Sequence, residues 1–170
     1  HTHASENPKE CEAVKQKIGM SDIEYYHRLG FLSRRTVIAH GVWLNEIEQK
    51  YLADTQTSLI HCPSTNLKLA SGIAPIVLYK DLQINIGIGC DGAPCNNNLD
   101  AMTELRHAAL LAKTRTSTTA LPAREALALA TIGGAEVLGI ADQTGSIEIG
   151  KRADLQVIRI DGPHVEPGGD

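Results

Sequence analysis

Four strand-like runs in this chain end in a residue that can bind a metal or move a proton: His3, His40, His61 and Asp91. A fifth candidate, Glu6, follows His3 by three residues. Imidazole and carboxylate donors together suit zinc or iron(II). A catalytic metal keeps one position open for water and brings that water's pKa to roughly 7, so that hydroxide can attack an electrophilic carbon. A carboxylic acid must then carry a proton to the leaving amine. Glu6 suits that task, because it lies just beyond a strand end and can reach into its mouth. Asp91 can bind the metal and accept a proton from the water. His40 can donate a hydrogen bond to negative charge developing on a substrate nitrogen or oxygen. Each residue also has a plainer reading. Asp91 could cap a helix or a turn, Glu6 could complement the dipole of a first helical turn, and a lone strand-end His is more often structural. Four successive strand ends carrying His, His, His and Asp are harder to explain in that way.

The elements that must position these side chains follow from periodicity and capping. Asn7, Pro8 and Glu10 predict a helix over 8–18 that stops at Gly19. Ser21 starts a shorter helix to about Leu29, and Gly30 ends it. Thr36–His40 and Ser58–Cys62 read as strands. Between them a helix starts at Asn45 and Glu48, with Ile47, Tyr51 and Leu52 as its buried stripe. Ser64–Asn66 reads as a polar loop, 74–81 as a helix and Leu82–Ile88 as a strand with apolar residues at every second position. A helix over about 98–113 carries Leu99, Met102, Leu105, Ala109 and Leu110 on one face. Pro122 opens a further helical stretch that Gly133-Gly134 interrupts before Ala135–Leu138. A strand at Leu155–Ile160 and a frayed tail at Asp161–Asp170 close the chain. The alternation of strand and helix predicts an α/β fold with a parallel sheet and right-handed crossovers. In a parallel barrel the strand ends open onto one face, where distant residues converge.

Composition sets limits. The 170 residues are 42% hydrophobic and 21% charged, with a net charge of −4, which reads as one globular domain. No basic run points to nucleic acid and no apolar run approaches a membrane span, so neither is expected as a partner. The cysteines at 11, 62, 90 and 95 form no CxxC pair, which argues against a structural zinc knuckle or a redox motif. They read as reduced thiols of a cytoplasmic protein. There is no GxGxxG to support dinucleotide binding.

His3-Ala-Ser-Glu6, Ala39-His40-Gly-Val-Trp-Leu44, His61-Cys-Pro-Ser-Thr-Asn66-Leu-Lys-Leu-Ala-Ser-Gly72 and Gly89-Cys-Asp91-Gly-Ala-Pro-Cys95-Asn-Asn-Asn98 resemble the amidohydrolase superfamily. The similar branch holds triazine chlorohydrolases, methylthioadenosine/S-adenosylhomocysteine deaminases and guanine deaminases. The resemblance implies the C-terminal half of a TIM-type (β/α)8 barrel, strands five to eight, over residues 1–143. Residues 144–170 would then carry a returning strand segment of a small β-sandwich. It implies one divalent metal, zinc ahead of iron(II), held by His3 and Asp91, with Glu6, His40 and Asp91 catalytic. His40, Asn66 and Cys95 would contact substrate, and His61 would stand behind the ligands. The family's HxH metal pair at strand one invites an assignment to His1-Thr-His3. The spacing to Glu6 and His40 favours strand five instead, which leaves His1 pointing the other way or disordered, and not a ligand.

The implied activity is hydrolysis at a ring C–N bond, the deamination of a purine, a purine nucleoside or a triazine. A chlorotriazine is a further substrate to consider. A whole barrel takes about 250 residues, so the chain is expected to be a fragment without the strand-one ligands, inactive alone or completed by self-association into a homo-oligomer. The competing expectation is a non-catalytic barrel fragment that serves only as a binding or structural piece. Glu6 and Asp91 argue against it, because a degenerate binder has no use for both acids beside His3 and His40.

Overall fold

The structure is a computed structural model that describes residues 1–159. Four short strands, β1 (Thr2–Ala4), β2 (Val37–His40), β3 (Ser58–His61) and β4 (Ile86–Ile88), form one parallel sheet in the order β1-β2-β3-β4. Sequential order with helical crossovers suits parallel strands, which need a connection of about a dozen residues or more, usually through a helix. The register aligns Thr2, Ile38, Leu59 and Ile86 in one row across the sheet. Ile38, Leu59 and Ile86 belong to the main core with Ile23, Leu52, Tyr79, Leu105, Ala108 and Leu129. The strand ends that follow this row therefore lie side by side at one edge of the sheet.

The capping residues read from sequence set the helix starts. In α1 (Pro8–Ile18), Asn7 accepts from the Glu10 amide and Gly19 closes the helix in a left-handed conformation. Ser21 caps α2 (Asp22–Arg28). α3 (Glu46–Asp54) opens with a full capping box between Asn45 and Glu48. Its buried residues are Glu48, Gln49 and Leu52, while Ile47 is exposed, so the buried face is turned from the predicted stripe.

Further departures concern the second half of the sheet. The stretch read as a polar loop is helical, α4 (Pro63–Lys68), because Pro63 sits in its first turn with φ preset for a helix. α5 is Ile76–Asp81. Leu82 caps α5 and Gln83 takes a positive φ, so the predicted strand shrinks to Ile86–Ile88. A short α6 (Ala93–Asn96) follows Asp91. α7 (Ala101–Arg115) buries Glu104, Leu105, Ala108 and Ala112, leaving Leu99, Met102 and Leu110 exposed. α8 (Ala123–Ala130) and α9 (Ile132–Val137) occupy the stretch divided at Gly133-Gly134.

The fold expectation is corrected. The structure holds four strands counted from the start of this chain, in an open parallel sheet, and nothing in it numbers them five to eight. No sandwich strand forms among the described residues after β4. Residues 153–159 have no regular structure, and Leu155, Val157 and Ile158 are exposed. The end of the predicted strand at Ile160 and the tail Asp161–Asp170 lie outside the described residues.

Packing of α9 on β4 depends on one small residue. A Cβ placed on Gly133 would lie 2.8 Å from the Ile86 carbonyl oxygen and 3.0 Å from that of Ala128. Both obstacles are backbone, so neither can rotate away. Gly133→Ala is expected to lower the unfolding free energy by about 1–3 kcal/mol, the usual cost of overpacking. Urea denaturation of the two proteins at neutral pH checks it.

Candidate active site

The local backbone bends the strand ends into a site. Ser5, directly after β1, has φ 52°. Its amide and hydroxyl both donate to the buried Asp22 carboxylate, at 2.6 and 2.9 Å. Asp22 thereby ties the turn that delivers Glu6 to the start of α2. His40 ends β2 with φ 72°, and Asp91 follows β4 with φ 60°. A positive φ is costly for residues with a Cβ and persists where the surrounding structure enforces it.

The strain at His40 has a visible result. His3 pairs with Ala39 in the ladder, so strict alternation would send His3 and His40 to opposite faces. Their rings nevertheless stack, with centroids 5.4 Å apart and planes 25° from parallel. The alternation breaks at the positive φ of His40. The His40 Nε2 then lies 3.8 Å from Glu6 Oε2 and 3.9 Å from Asp91 Oδ2. The His40 side chain is buried, while Glu6 and Asp91 retain 17% and 19% exposure, enough to reach a substrate.

Supporting hydrogen bonds fix each group. Asn66 Oδ1 lies 3.0 Å from His40 Nδ1. Accepting from an Nδ1–H there, it leaves Nε2 facing the two carboxylates. Asn66 is itself buried in α4. Ser71 Oγ donates to Glu6 Oε1 at 3.2 Å, and the Trp43 indole donates to the Ser71 carbonyl at 2.6 Å. Asp91 Oδ1 accepts from the Gly92 amide at 2.6 Å, leaving Oδ2 toward His40.

The remaining sequence candidates fall as follows. His1 does not point away. Residues two apart on a strand share a face, and its ring meets that of His3 edge-on at 5.8 Å. Cys95 is partly buried in α6, four residues past Asp91. His61 is fully buried at the end of β3, and its Nδ1 has no hydrogen-bond partner. Ser71 ends the Leu67–Ser71 stretch expected to shape the pocket, whereas Asp22 and Glu104 went unnoticed in the sequence. Only their burial next to strand-end loops marks them, and spacing carries no signal of that.

Desolvation lowers the His61 pKa from 6.5 to about 4, with the charge of His40 adding to it. The unfolded chain therefore takes up a proton near pH 6.5 that the folded chain refuses until about pH 4. Stability is expected to fall as pH drops through that window, by about 3 kcal/mol at pH 4 relative to neutral pH. Comparing urea denaturation of the parent and of His61→Leu at pH 7 and pH 4 checks it. The difference between the two pH values should shrink by about that amount in the variant.

A divalent metal suits the donor chemistry here only in part. His3 offers an imidazole and Asp91 a carboxylate, the nitrogen and oxygen donors that zinc accepts. Among the described residues, however, no three His, Cys, Asp or Glu side chains are grouped to hold a metal ion. Catalytic zinc normally has three protein ligands, so these residues fit part of a shell.

A model of the Amidohydrolase family matches residues 1–165. The chain is 42% identical over 171 aligned residues to a 5-methylthioadenosine/S-adenosylhomocysteine deaminase of Halobacterium salinarum, a match that covers all of this chain and 39% of that protein. It superimposes with a TM-score of 0.92 on an adenosine deaminase from Xanthomonas campestris with bound zinc, at 38% identity over 99% of this chain and 38% of the other. An atrazine chlorohydrolase from Arthrobacter aurescens, complexed with zinc, matches all of this chain and 38% of its own length, with a TM-score of 0.91 and 32% identity. The chain thus spans about two fifths of the relatives it matches. These findings support four strands, one to four of this chain, in a parallel sheet, and the assignment to barrel strands five to eight is withdrawn. With a family match over nearly its whole length, the chain belongs to the amidohydrolase family.

Proposed function

We propose that this chain carries part of the active site of a metal-dependent hydrolase that deaminates a purine nucleoside. The observation that carries the reading is the His40 imidazole set between the Glu6 and Asp91 carboxylates, with His3 stacked on it. The deaminase names of its relatives support a C–N bond as the target. Zinc in two similar structures supports the choice of metal.

His3 and Asp91 are the donors this chain would offer, and the remaining donors come from elsewhere than the described residues. When bound, the metal supplies the Lewis acidity that makes a water nucleophilic near neutral pH. Asp91 takes the proton that the water loses as its oxygen bonds to the amine-bearing ring carbon. His40, held by Asn66 at Nδ1, turns Nε2 toward the place where negative charge builds on the substrate. Acting as the acid, Glu6 gives one proton to the ring nitrogen, takes the proton of the new hydroxyl as the carbonyl forms and passes it to the amine, which leaves as ammonia when its C–N bond breaks; the proton held by Asp91 then returns Glu6 to its acid form. Ser71 holds one Glu6 oxygen, so the other is free to shuttle. Asn66 acts on His40 from behind.

A panel of adenosine, S-adenosylhomocysteine, guanine, melamine and a chlorotriazine, read by ammonia or chloride release, tests the assignment on enzyme containing this chain. Ammonia from the nucleosides is expected. Release confined to guanine, melamine or the chlorotriazine would overturn it.

A further inference from the structure

Glu104, in α7, is 0% exposed, and its hydrogen-bond partners are neutral. A carboxylate is rarely buried without a counter-charge, because desolvation is expensive. What it holds explains its place. Oε2 accepts from the Ser64 amide at 3.0 Å, three residues beyond the end of β3. Oε1 accepts from Asn96 Nδ2 at 2.7 Å. The same Asn96 amide donates to the Cys90 carbonyl at 2.7 Å. Asn96 Oδ1 in turn accepts from the Asn98 and Leu99 amides. Cys90 immediately precedes Asp91, whose φ of 60° must be maintained against its own preference. One buried carboxylate thus clamps the loop that carries Asp91 onto the segment after β3.

We propose that Glu104, acting through Asn96, is a positioning residue that fixes the Asp91 carboxylate against His40. The proposal rests on the reading of Asp91 as metal donor and base given above. Glu104 touches no substrate. Its effect passes through Asn96 and the Cys90 carbonyl to the backbone of Asp91. A neighbouring pair separates this role from simple packing. Ser64 Oγ and His107 Nδ1, 2.9 Å apart, join α4 to α7 without touching the Asp91 loop.

The test compares Glu104→Gln, Asn96→Ala, His107→Ala and Asp91→Asn with the parent, in enzyme containing this chain. Glutamine keeps the shape of Glu104 but sets an NH2 against one of two N–H donors. Asn96→Ala breaks the same link without altering a buried charge, so it serves if Glu104→Gln does not fold. Steady-state kinetics with a nucleoside, zinc retained per chain after dialysis, and thermal melting are read together. Glu104→Gln and Asn96→Ala are expected to lower kcat and zinc affinity by about 10- to 100-fold, as loss of outer support does at metal sites, with KM changed little. His107→Ala should lower Tm and leave kcat and zinc intact. If both Glu104→Gln and Asn96→Ala keep the parent's kcat and zinc while Asp91→Asn loses them, Glu104 is a packing residue and the proposal falls. If Asp91→Asn itself retains kcat and zinc, the underlying reading of Asp91 fails, and the positioning role goes with it.

Discussion

Glu6→Gln is expected to lower kcat by about 10³-fold while leaving KM within about threefold, since general acid–base groups contribute 10²- to 10⁴-fold. Glutamine is close to isosteric and can still accept the 3.2 Å hydrogen bond from Ser71 at its carbonyl oxygen. It cannot take up or release the proton. Ground-state binding is therefore kept and the transition-state contribution lost, the pattern of equal falls in kcat and kcat/KM. The plainer role of Glu6, an acid just ahead of α1, predicts a small loss of stability and unchanged kcat. Steady-state kinetics of the variant, with a melting curve to confirm folding, separates the two. Ser71→Ala should give a smaller decrease in kcat, because it frees the carboxylate without removing it.

Asp91→Asn is expected to be more damaging still, with kcat down by more than about 10³-fold and zinc affinity down by more than the roughly 100-fold that loss of an outer partner costs. Two functions converge on this carboxylate. In the proposed function it is one of two metal donors and the base that takes the water's proton, and its Oδ2 stands 3.9 Å from His40 Nε2. Its Oδ1 is already committed to the Gly92 amide at 2.6 Å. An asparagine there is a weaker ligand and no base. Zinc per chain by mass spectrometry and kcat, measured on the same preparation, give both readouts. A variant that keeps its zinc and its kcat would show that Asp91 is only a turn residue.

Helix starts are legible in the sequence, because local capping chemistry decides them. Asn7, Ser21 and the Asn45–Glu48 box cap their helices as read. The strand ends at His40, His61 and the approach to Asp91 were legible because apolar runs there stop at Gly41, Pro63 and Gly89. That His3, Glu6, His40 and Asp91 meet follows from a parallel sheet, which alternation of strand and helix already implies. Tertiary context overrode the pattern elsewhere. The apolar stripe assigned to α7 lies partly in solvent: Leu99 precedes the helix, and the buried face is Glu104, Leu105, Ala108 and Ala112. A carboxylate in a core position is invisible to any search for apolar periodicity. Asn66 was read as a pocket residue, whereas its burial behind His40 depends on α4 being a helix and not a loop. The stacking of His3 on His40 contradicts simple alternation and depends on a positive φ that no pattern announces. The numbering of the strands within a barrel rested on resemblance alone, and the open four-stranded sheet does not support it.

The most direct test of the site is anomalous diffraction at the zinc edge from crystals of zinc-loaded enzyme containing this chain. The proposed site requires a single strong peak about 2.0–2.2 Å from a ring nitrogen of His3 and from an Asp91 carboxylate oxygen, with Glu6 and His40 beside it and unligated. Zinc bound elsewhere, with His3 and Asp91 free of it, would contradict the account.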